Sequence, residues 1–440
     1  MTSATKSQSS QATSEQVKEC ALERPEIAPP KGRQKLSREL VLSALKEMRR
    51  GRMEIRCADG LKVTIGQDDQ HVSAQLFIHN HDFFDKCLLY SHIGFAESYM
   101  DGDWDTPDIK SVISWFILNL EDSTVFEGSA GKKMFMNSLG WLNRATHLLR
   151  DNSITGSRKN ISEHYDLSNE LFALFLDPTM TYSSAKFTRT DMSLEEAQME
   201  KIDSMCQKLK LTPSDHLLEI GSGWGTLAIH AAKKYGCRVT TITISEQQFA
   251  YAKEKIEKSG FSSQIEIQFC DYRYMEGIFD KIVSVEMIEA VGDKFMETYF
   301  ASINRLLKPH GLVGLQMITC PDSRYKILRD NVDFIQKYIF PGSLLPSVGR
   351  VTEALNRTSS LNLFELEDIG LSYAKTLDIW HENFNKRLNE VRALGFDERF
   401  IRKWNYYFKY CSAAFAMRNI SAVQAVYTRP NNLSIAEPRI

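Results

Sequence analysis

Apolar residues recur along this chain with two periods, and the change from one to the other is sharpest at residues 217–226, LLEIGSGWGT. Leu217, Leu218 and Ile220 predict a buried strand end, and Thr226 opens a helix in which Leu227, Ile229 and Ala232 share a face. Downstream the periods alternate: strand 237–243, helix 246–259, strands 265–269 and 280–286, helix 293–307, strand 311–318. Such alternation predicts an α/β fold, a mostly parallel sheet with helices on both faces. Near the end, Phe400, Trp404, Phe408, Cys411 and Phe415 have helical core spacing, and AVQAVYTR predicts a terminal antiparallel edge strand.

Before the glycine-rich junction the texture differs. An amphipathic helix carries Leu40, Leu45 and Met48, and MEIRCADGLKVTIG reads as two alternating strands turning at Asp59 and Gly60. VSAQLFI continues this small α+β unit, and Phe83, Phe84, Tyr90, Phe95, Tyr99 and Trp104 read as its core. Helical spacing resumes in VISWFIL and MFMNSLGWLNRATHLL before a polar boundary near residue 155. Residues 1–35 hold few apolar side chains and predict a disordered tail. The expected division is therefore a tail at 1–35, an amino-terminal α+β domain at 36–155 that is a candidate lipid-binding unit, and a catalytic domain at 156–440.

Composition narrows the partners. With 440 residues and 43% apolar content the chain can hold two cores. A net charge of −2 gives no electrostatic case for nucleic acid, and the run Arg49, Arg50, Arg52 is too short to supply one. Eight cysteines without C-x-x-C spacing indicate neither a zinc site nor a disulfide framework, so no metal is expected and a reducing, cytoplasmic setting fits. No stretch approaches the roughly 18 apolar residues of a membrane span, so contact with a membrane is expected to be peripheral.

The junction itself carries chemistry. Gly221, Gly223 and Gly225 form G-x-G-x-G, not the G-x-G-x-x-G of dinucleotide sites, and no acid ends the second strand to hold a ribose. Glu219 two residues before the loop completes acid-x-G-x-G-x-G, which resembles the first motif of S-adenosylmethionine-dependent methyltransferases. In a parallel sheet the ligand lies at the carboxyl ends of the strands, where Glu219, Thr243, Asp271, Tyr272, Glu289 and Gln316 converge. Upstream, His164, Tyr165, Asp166, Asn169, Tyr182, Ser183 and Ser184 alternate with Leu171, Phe172, Leu174 and Phe175, the composition of a helical lid over an apolar pocket. Beyond residue 318 an insertion with Tyr325, Phe334, Tyr338, Phe340, Leu344 and Leu345, broken by Pro341 and Pro346, could line a tunnel for an acyl chain.

Residues 36–429 resemble the cyclopropane-fatty-acyl-phospholipid synthase family through GFAESYMDGDWD, ISEHYDLSNELFALFLD, TYSSAKF, LLEIGSGWGTLAI, TITISEQQ, DYRYMEGIFDKIVSVEMIEAVG and YIFPGSLLPS, in that order. The resemblance implies a class I, Rossmann-like methyltransferase fold that moves a one-carbon unit from S-adenosylmethionine to the cis double bond of a phospholipid acyl chain, with a cyclopropane or a methyl- or methylene-branched product. It implies cofactor contacts from Tyr182, Ser183, Gly221, Gly223, Gly225, Thr243, Gln248, Tyr272 and Arg273. It also implies a bicarbonate ion near the reacting carbon, held by Glu289, the Ile318 backbone and Tyr373. Ser184 stands where a cysteine is usual and Gln316 where a histidine is usual; plant-type relatives share the glutamine and the EAVG after the methionine. A homodimer is admitted as the assembly.

The reaction asks for the same residue types. An alkene is a poor nucleophile, so a dry site must align it with the methyl donor. A carboxylate about 4 Å from the resulting cation, at an effective dielectric near 20, would stabilise it by roughly 4 kcal/mol, and Glu289 is the expected charge. Two other classes share parts of the pattern: an amine N-methyltransferase, which needs no acyl tunnel, and a lipid-binding relative without catalysis, against which the intact glycine loop and Glu289 argue.

Overall fold

The computed structural model describes residues 27–67, 72–119 and 168–435. The expected boundary near 155, most of the expected tail and the lid residues His164, Tyr165 and Asp166 lie outside the described residues. The chain divides into two compact units, one built before residue 146 and from Gly395–Met417, the other from Thr146–Leu394 and Arg418–Ile440.

In the first unit, helix α1 (Gly32–Leu45) leads to β1 (Arg52–Cys57), β2 (Lys62–Gly66) and β3 (Ser73–Ile78), followed by α2 (Asp82–Met100), β4 (Trp104–Asp105) and α3 (Ile109–Leu118). The sheet order is β2-β1-β3-β4. Met53, Ile55 and Cys57 are buried at every second position of β1, as its alternation predicts. The face of α1 differs in part from the expected one: Leu40 is exposed and Leu42 is buried in its place, while Met48, buried as expected, lies past the end of the helix. Tyr90 is likewise exposed, while Phe83, Phe84, Phe95, Tyr99 and Trp104 form core.

The helix Glu398–Ala416, expected in the catalytic part, belongs to this first unit. Arg402 explains why. Its guanidinium lies 4.0 Å from the Tyr99 ring centre, donates to the Trp104 carbonyl at 2.8 Å and pairs with Asp105 at 2.8 Å. Trp404, Phe408 and Phe415 are buried along the same helix.

The second unit opens with α4 (Asn169–Phe175) and α5 (Leu194–Lys208), the latter started by a reciprocal capping box between Ser193 and Glu196. Next come β5 (His216–Ile220), α6 (Thr226–His230), β6 (Arg238–Thr243), α7 (Glu246–Ser259), β7 (Ile265–Phe269), β8 (Phe279–Val285), α8 (Met296–Leu306) and β9 (Leu307–Thr319). The insertion forms α9 (Asp322–Asp330) and α10 (Phe334–Tyr338), and α11 (Val348–Thr358), β10 (Asn362–Asp368), α12 (Gly370–Lys386) and α13 (Leu388–Ala393) follow it. The first-unit helix Glu398–Ala416 is α14, and β11 (Ser421–Thr428) ends the second unit's sheet.

That sheet has seven strands in the order β10-β11-β9-β8-β5-β6-β7. Strand β11 runs antiparallel to both its neighbours and the remaining strands are parallel to one another. This is the expected α/β class, but β11 is not an edge: residues 422–428 are all buried between β9 and β10. The edge is β10, which the sequence pattern does not reveal because its Leu363, Phe364 and Leu366 are exposed. It is held by ladder bonds on one side and by Glu367, which pairs with Lys186 at 2.8 Å and Lys208 at 3.1 Å.

Both faces of the sheet carry a core. On one, Tyr299, Phe300 and Ile303 of α8 and Val351 and Leu355 of α11 pack with Ile282, Leu315 and Tyr427. On the other, Met205 of α5, Leu209 at its carboxyl cap and Leu227 of α6 pack with Leu217, Val283 and Val426. The approach of α5 depends on Gly314, where a Cβ would lie 2.7 Å from Met205 Sδ and 3.2 Å from Leu209 Cγ. Gly314→Val is therefore expected to destabilise the protein by about 1–3 kcal/mol through overpacking, read as a lower urea midpoint; an unchanged midpoint would contradict this packing.

Candidate active site

Strand β5 delivers the glycine loop to the carboxyl edge of the sheet, where the N–H groups of Gly221 and Ser222 both donate to the Ile242 carbonyl at 3.0 Å. Gly223 has φ 48° with open space where a Cβ would be, so its backbone is bare toward a ligand. Gly225, at φ 84°, caps α6 and lies against Ala252 of α7. Glu219, buried in β5, accepts from the Thr241 hydroxyl at 2.6 Å, and burial pushes its carboxyl up to about 8.

Beside the loop, Thr243 at the end of β6 donates to the Gln248 side chain at 3.1 Å, so two expected cofactor residues meet. Tyr272 and Arg273 follow β7, with the Arg273 guanidinium gripping Asp271 at 2.6 and 2.8 Å. The described part of the lid lies over the loop: Trp224 donates to Asn169 of α4 at 2.9 Å, and Thr226 donates to the Thr179 carbonyl at 2.6 Å. Tyr182 sits among Phe172, Trp380 and Phe340, with ring centres 5.1, 5.2 and 6.2 Å away. Ser183 is fixed by α5, where the buried Lys201 ammonium donates to its hydroxyl at 2.6 Å and Gln198 to its carbonyl at 2.9 Å.

The expected reaction-centre residues also converge, around a side chain that the sequence reading does not single out. Glu286 immediately follows β8 with φ 50°, a conformation rare for a residue with a Cβ. Its Oε1 accepts from the Ser184 N–H at 2.9 Å and Gln316 Nε2 at 2.8 Å, and its Oε2 from the Tyr373 hydroxyl at 2.7 Å. Its own N–H donates to the Gln316 carbonyl at 2.7 Å. Gln316 is itself oriented: its Oε1 accepts from Gln424 Nε2 at 3.0 Å, and Gln424 accepts from the Ser204 hydroxyl at 3.0 Å. The amide nitrogen of Gln316 must then face Glu286.

Ser184 acts differently from the expectation. Its backbone meets the carboxylate while its hydroxyl donates to the Ala185 carbonyl at 2.9 Å. Glu289, in a single 3₁₀ turn at Ile288–Ala290, is 8% exposed and accepts from the Ile318 N–H at 2.5 Å. Its Oε2 is buried without a hydrogen-bond partner. Its carbonyl accepts from the Leu344 N–H at 2.8 Å, which ties the apolar insertion to the site.

The sequence pattern of the family described as mycolic acid cyclopropane synthetase matches residues 152–425, more than half of the chain. The chain belongs to this family. Tuberculostearic acid methyltransferase UfaA1 of Mycobacterium tuberculosis is 40% identical over 354 residues, 77% of this chain and 80% of its own length. Cyclopropane-fatty-acyl-phospholipid synthase of Escherichia coli strain K12 is 38% identical over 375 residues, 82% of this chain and 90% of its own. The solved structure of mycolic acid cyclopropane synthase CmaA1 complexed with SAH and CTAB aligns with a TM-score of 0.58 at 31% identity, over 62% of this chain and 98% of its own. As a cyclopropane synthetase family member, the chain is an S-adenosylmethionine-dependent methyltransferase.

One expectation drawn from the family does not fit this site. Ser184, Gln316 and Tyr373 already hold Glu286, and Glu289 already holds the Ile318 backbone, so the groups assigned to bicarbonate are engaged within the chain. Glu286 was legible only as the first acid of VEMIE, directly past an apolar strand. Gln424 and Lys201 gave no signal, since one lies in a strand read as an edge and the other in a helix that the sequence reading does not assign.

The two carboxyls form a coupled pair. Burial raises Glu286, against which Lys201 and the three donors pull. Burial first, and then the neighbouring Glu286, push Glu289 up to about 8, with only backbone donors opposing. A folded state that keeps a proton on Glu289 when the unfolded chain has lost it becomes less stable as pH rises from about 4.5 toward 8. Glu289→Gln removes that loss. The variant is expected to melt above the wild type at pH 8, by an amount growing at up to about 1.4 kcal/mol per pH unit, and to match it near pH 4.5. Melting curves separated by the same interval at every pH would refute this.

Proposed function

We propose that the protein transfers a one-carbon unit from S-adenosylmethionine to the cis double bond of an unsaturated acyl chain carried by a phospholipid, giving a cyclopropane or a methyl- or methylene-branched chain. The observation that carries this reading is the pair of buried carboxyls, Glu286 and Glu289, at the end of β8 in a site walled by aromatic rings. An amine substrate would bring its own lone pair; an alkene needs a negative group beside the carbon left electron-poor. Names of relatives support the same class, since the two relatives at 38–40% identity are named for a fatty acid and for a fatty-acyl phospholipid.

The residues divide the work. Gly221, Gly223, Gly225, Thr243, Gln248, Tyr182 and Ser183 would hold the cofactor, and the bare backbone at Gly223 fits that role. When bound, the cofactor supplies an electrophilic methyl group. Phe172, Phe175, Tyr182, Phe340 and Trp380 exclude water and present an apolar wall to the acyl chain. Glu286, with its three donors and Lys201, is the carboxyl better suited to keep its charge, and Glu289 the one that keeps its proton. In that low-polarity setting a fixed charge acts on the cation without solvent reorganisation.

The enzyme works on the membrane surface as a peripheral protein. Among the described residues no helix is long and apolar enough to cross a membrane. Drawing ten methylenes of an acyl chain into water would cost roughly 8 kcal/mol, so the apolar insertion must meet the lipid directly. In vesicle flotation the protein is expected to rise with unsaturated phospholipid vesicles; turnover of dispersed lipid with no vesicle association would overturn this part of the reading.

Mass spectrometry of phospholipids from a host expressing the chain tests the reaction. Unsaturated species are expected to gain the mass of one methylene unit, or of that unit with two further hydrogens for a saturated branch. Gly223→Val, strained at φ 48°, is expected to abolish both the shift and cofactor binding in calorimetry. Lipids identical to those of an empty-vector host would sink the proposal.

A further inference from the structure

Resting on the reading above, we propose that Glu286 is the catalytic base of this enzyme, a side-chain carboxylate that stands where a diffusible bicarbonate ion would act and takes the proton released by the methylated acyl chain. Geometry carries the argument. Three donors from three parts of the chain, the loop before α5, strand β9 and helix α12, aim at the two oxygens of one carboxylate. An acceptor-only group satisfies all three at once, which is the pattern of an ionised acid. A free anion placed among the same donors would have to displace that carboxylate, and held beside it would meet a like charge that a poorly solvated site disfavours.

The backbone points the same way. Glu286 is held at φ 50°, and strain of this kind persists only where the surroundings fix the residue. Here the bond from its N–H to the Gln316 carbonyl and the three bonds to its carboxylate fix it. The Gln424 side chain locks the Gln316 amide with its N–H side toward Glu286, so the cage is built for an oxygen anion and not for a water or an amide.

The proton step balances without a further reactant. Methyl transfer breaks the bond from that carbon to the cofactor sulfur, whose electron pair stays with the departing thioether, while the π pair forms the new bond to one alkene carbon and leaves the other cationic. A C–H bond of the new methyl group breaks, its electron pair closes the bond to the cationic carbon, and the proton passes to the Glu286 carboxylate. The products are a cyclopropane and a neutral Glu286, which returns its proton to solvent before the next turnover.

The test compares wild type, Glu286→Gln and Glu286→Gly with unsaturated phospholipid vesicles in buffer freed of carbon dioxide, and measures bicarbonate binding by calorimetry alongside. Wild-type turnover is expected to be unchanged by bicarbonate removal, with no bicarbonate bound. Glu286→Gln is expected to lose on the order of 10² or more in turnover with cofactor affinity retained. Glycine suits φ 50° and empties the cage. Glu286→Gly is therefore expected to be inactive alone, to bind bicarbonate, and to recover about tenfold or more on its addition. Wild-type turnover that falls when bicarbonate is removed, full turnover by Glu286→Gln, or a Glu286→Gly protein that neither binds nor responds to bicarbonate each overturns the proposal. A wild type that makes no heavier lipid from any vesicle overturns the substrate reading instead, and the binding contrast between wild type and Glu286→Gly still decides whether the carboxylate holds the anion's place.

Discussion

A carboxylate that has left water must be met by donors, and the second unit is arranged to meet that demand at Glu286. Glu219, Glu286 and Glu289 all face burial, with the Lys201 ammonium, 1% exposed, acting on the first two. Attraction to one ammonium does not by itself offset the burial of a carboxylate. The remainder falls to hydrogen bonds from separate elements: the backbone of Ser184, the amide of Gln316 and the hydroxyl of Tyr373. The strand order places β8, β9 and β11 side by side, and Gln316 pairs in register with Gln424, so the sheet delivers the amide donor while the loop before α5 and helix α12 bring the other two.

Burial also lowers Lys201, to about 8, with Glu286, Asp177 and Glu219 opposing the shift. Its ammonium is spent on Ser183, a residue expected to touch the cofactor. One side chain thus joins the two halves of the site, the cofactor edge and the carboxylate cage, through α5. The same helix depends on Gly314 to lie close to β9, so packing in the core and placement of a charge at the site are a single geometric problem.

Much of this was readable in the order of residues. The glycine loop and the alternation of periods after it follow from local patterns that three-dimensional contacts reinforce. Glu289, Gln316, Ile318 and Tyr373 were placed in one neighbourhood and are found there. What escaped was non-local. Glu286 gains its meaning from partners 30, 87 and 102 residues away, which no spacing rule reports. Strand β10 escaped because an edge strand with exposed Leu363, Phe364 and Leu366 lacks the alternation that marks a half-buried one. Strand β11 was seen and misplaced: it was read as an edge, and its polar Gln424 is a buried hydrogen-bonding position.

The position of β11 bears on how such a chain can be made. A protein emerges from the ribosome in one direction, and segments fold as they become complete. Strand β11 lies between β9 and β10, and Gln424 on it sets the amide that sets the carboxylate. The first unit, likewise, lacks one of its core helices until Glu398–Ala416 has been synthesised. Neither unit can close while translation is under way through the middle of the chain, so for most of its synthesis the nascent polypeptide exposes apolar sheet and helix faces, and the chemistry becomes competent only as the final strand slides home.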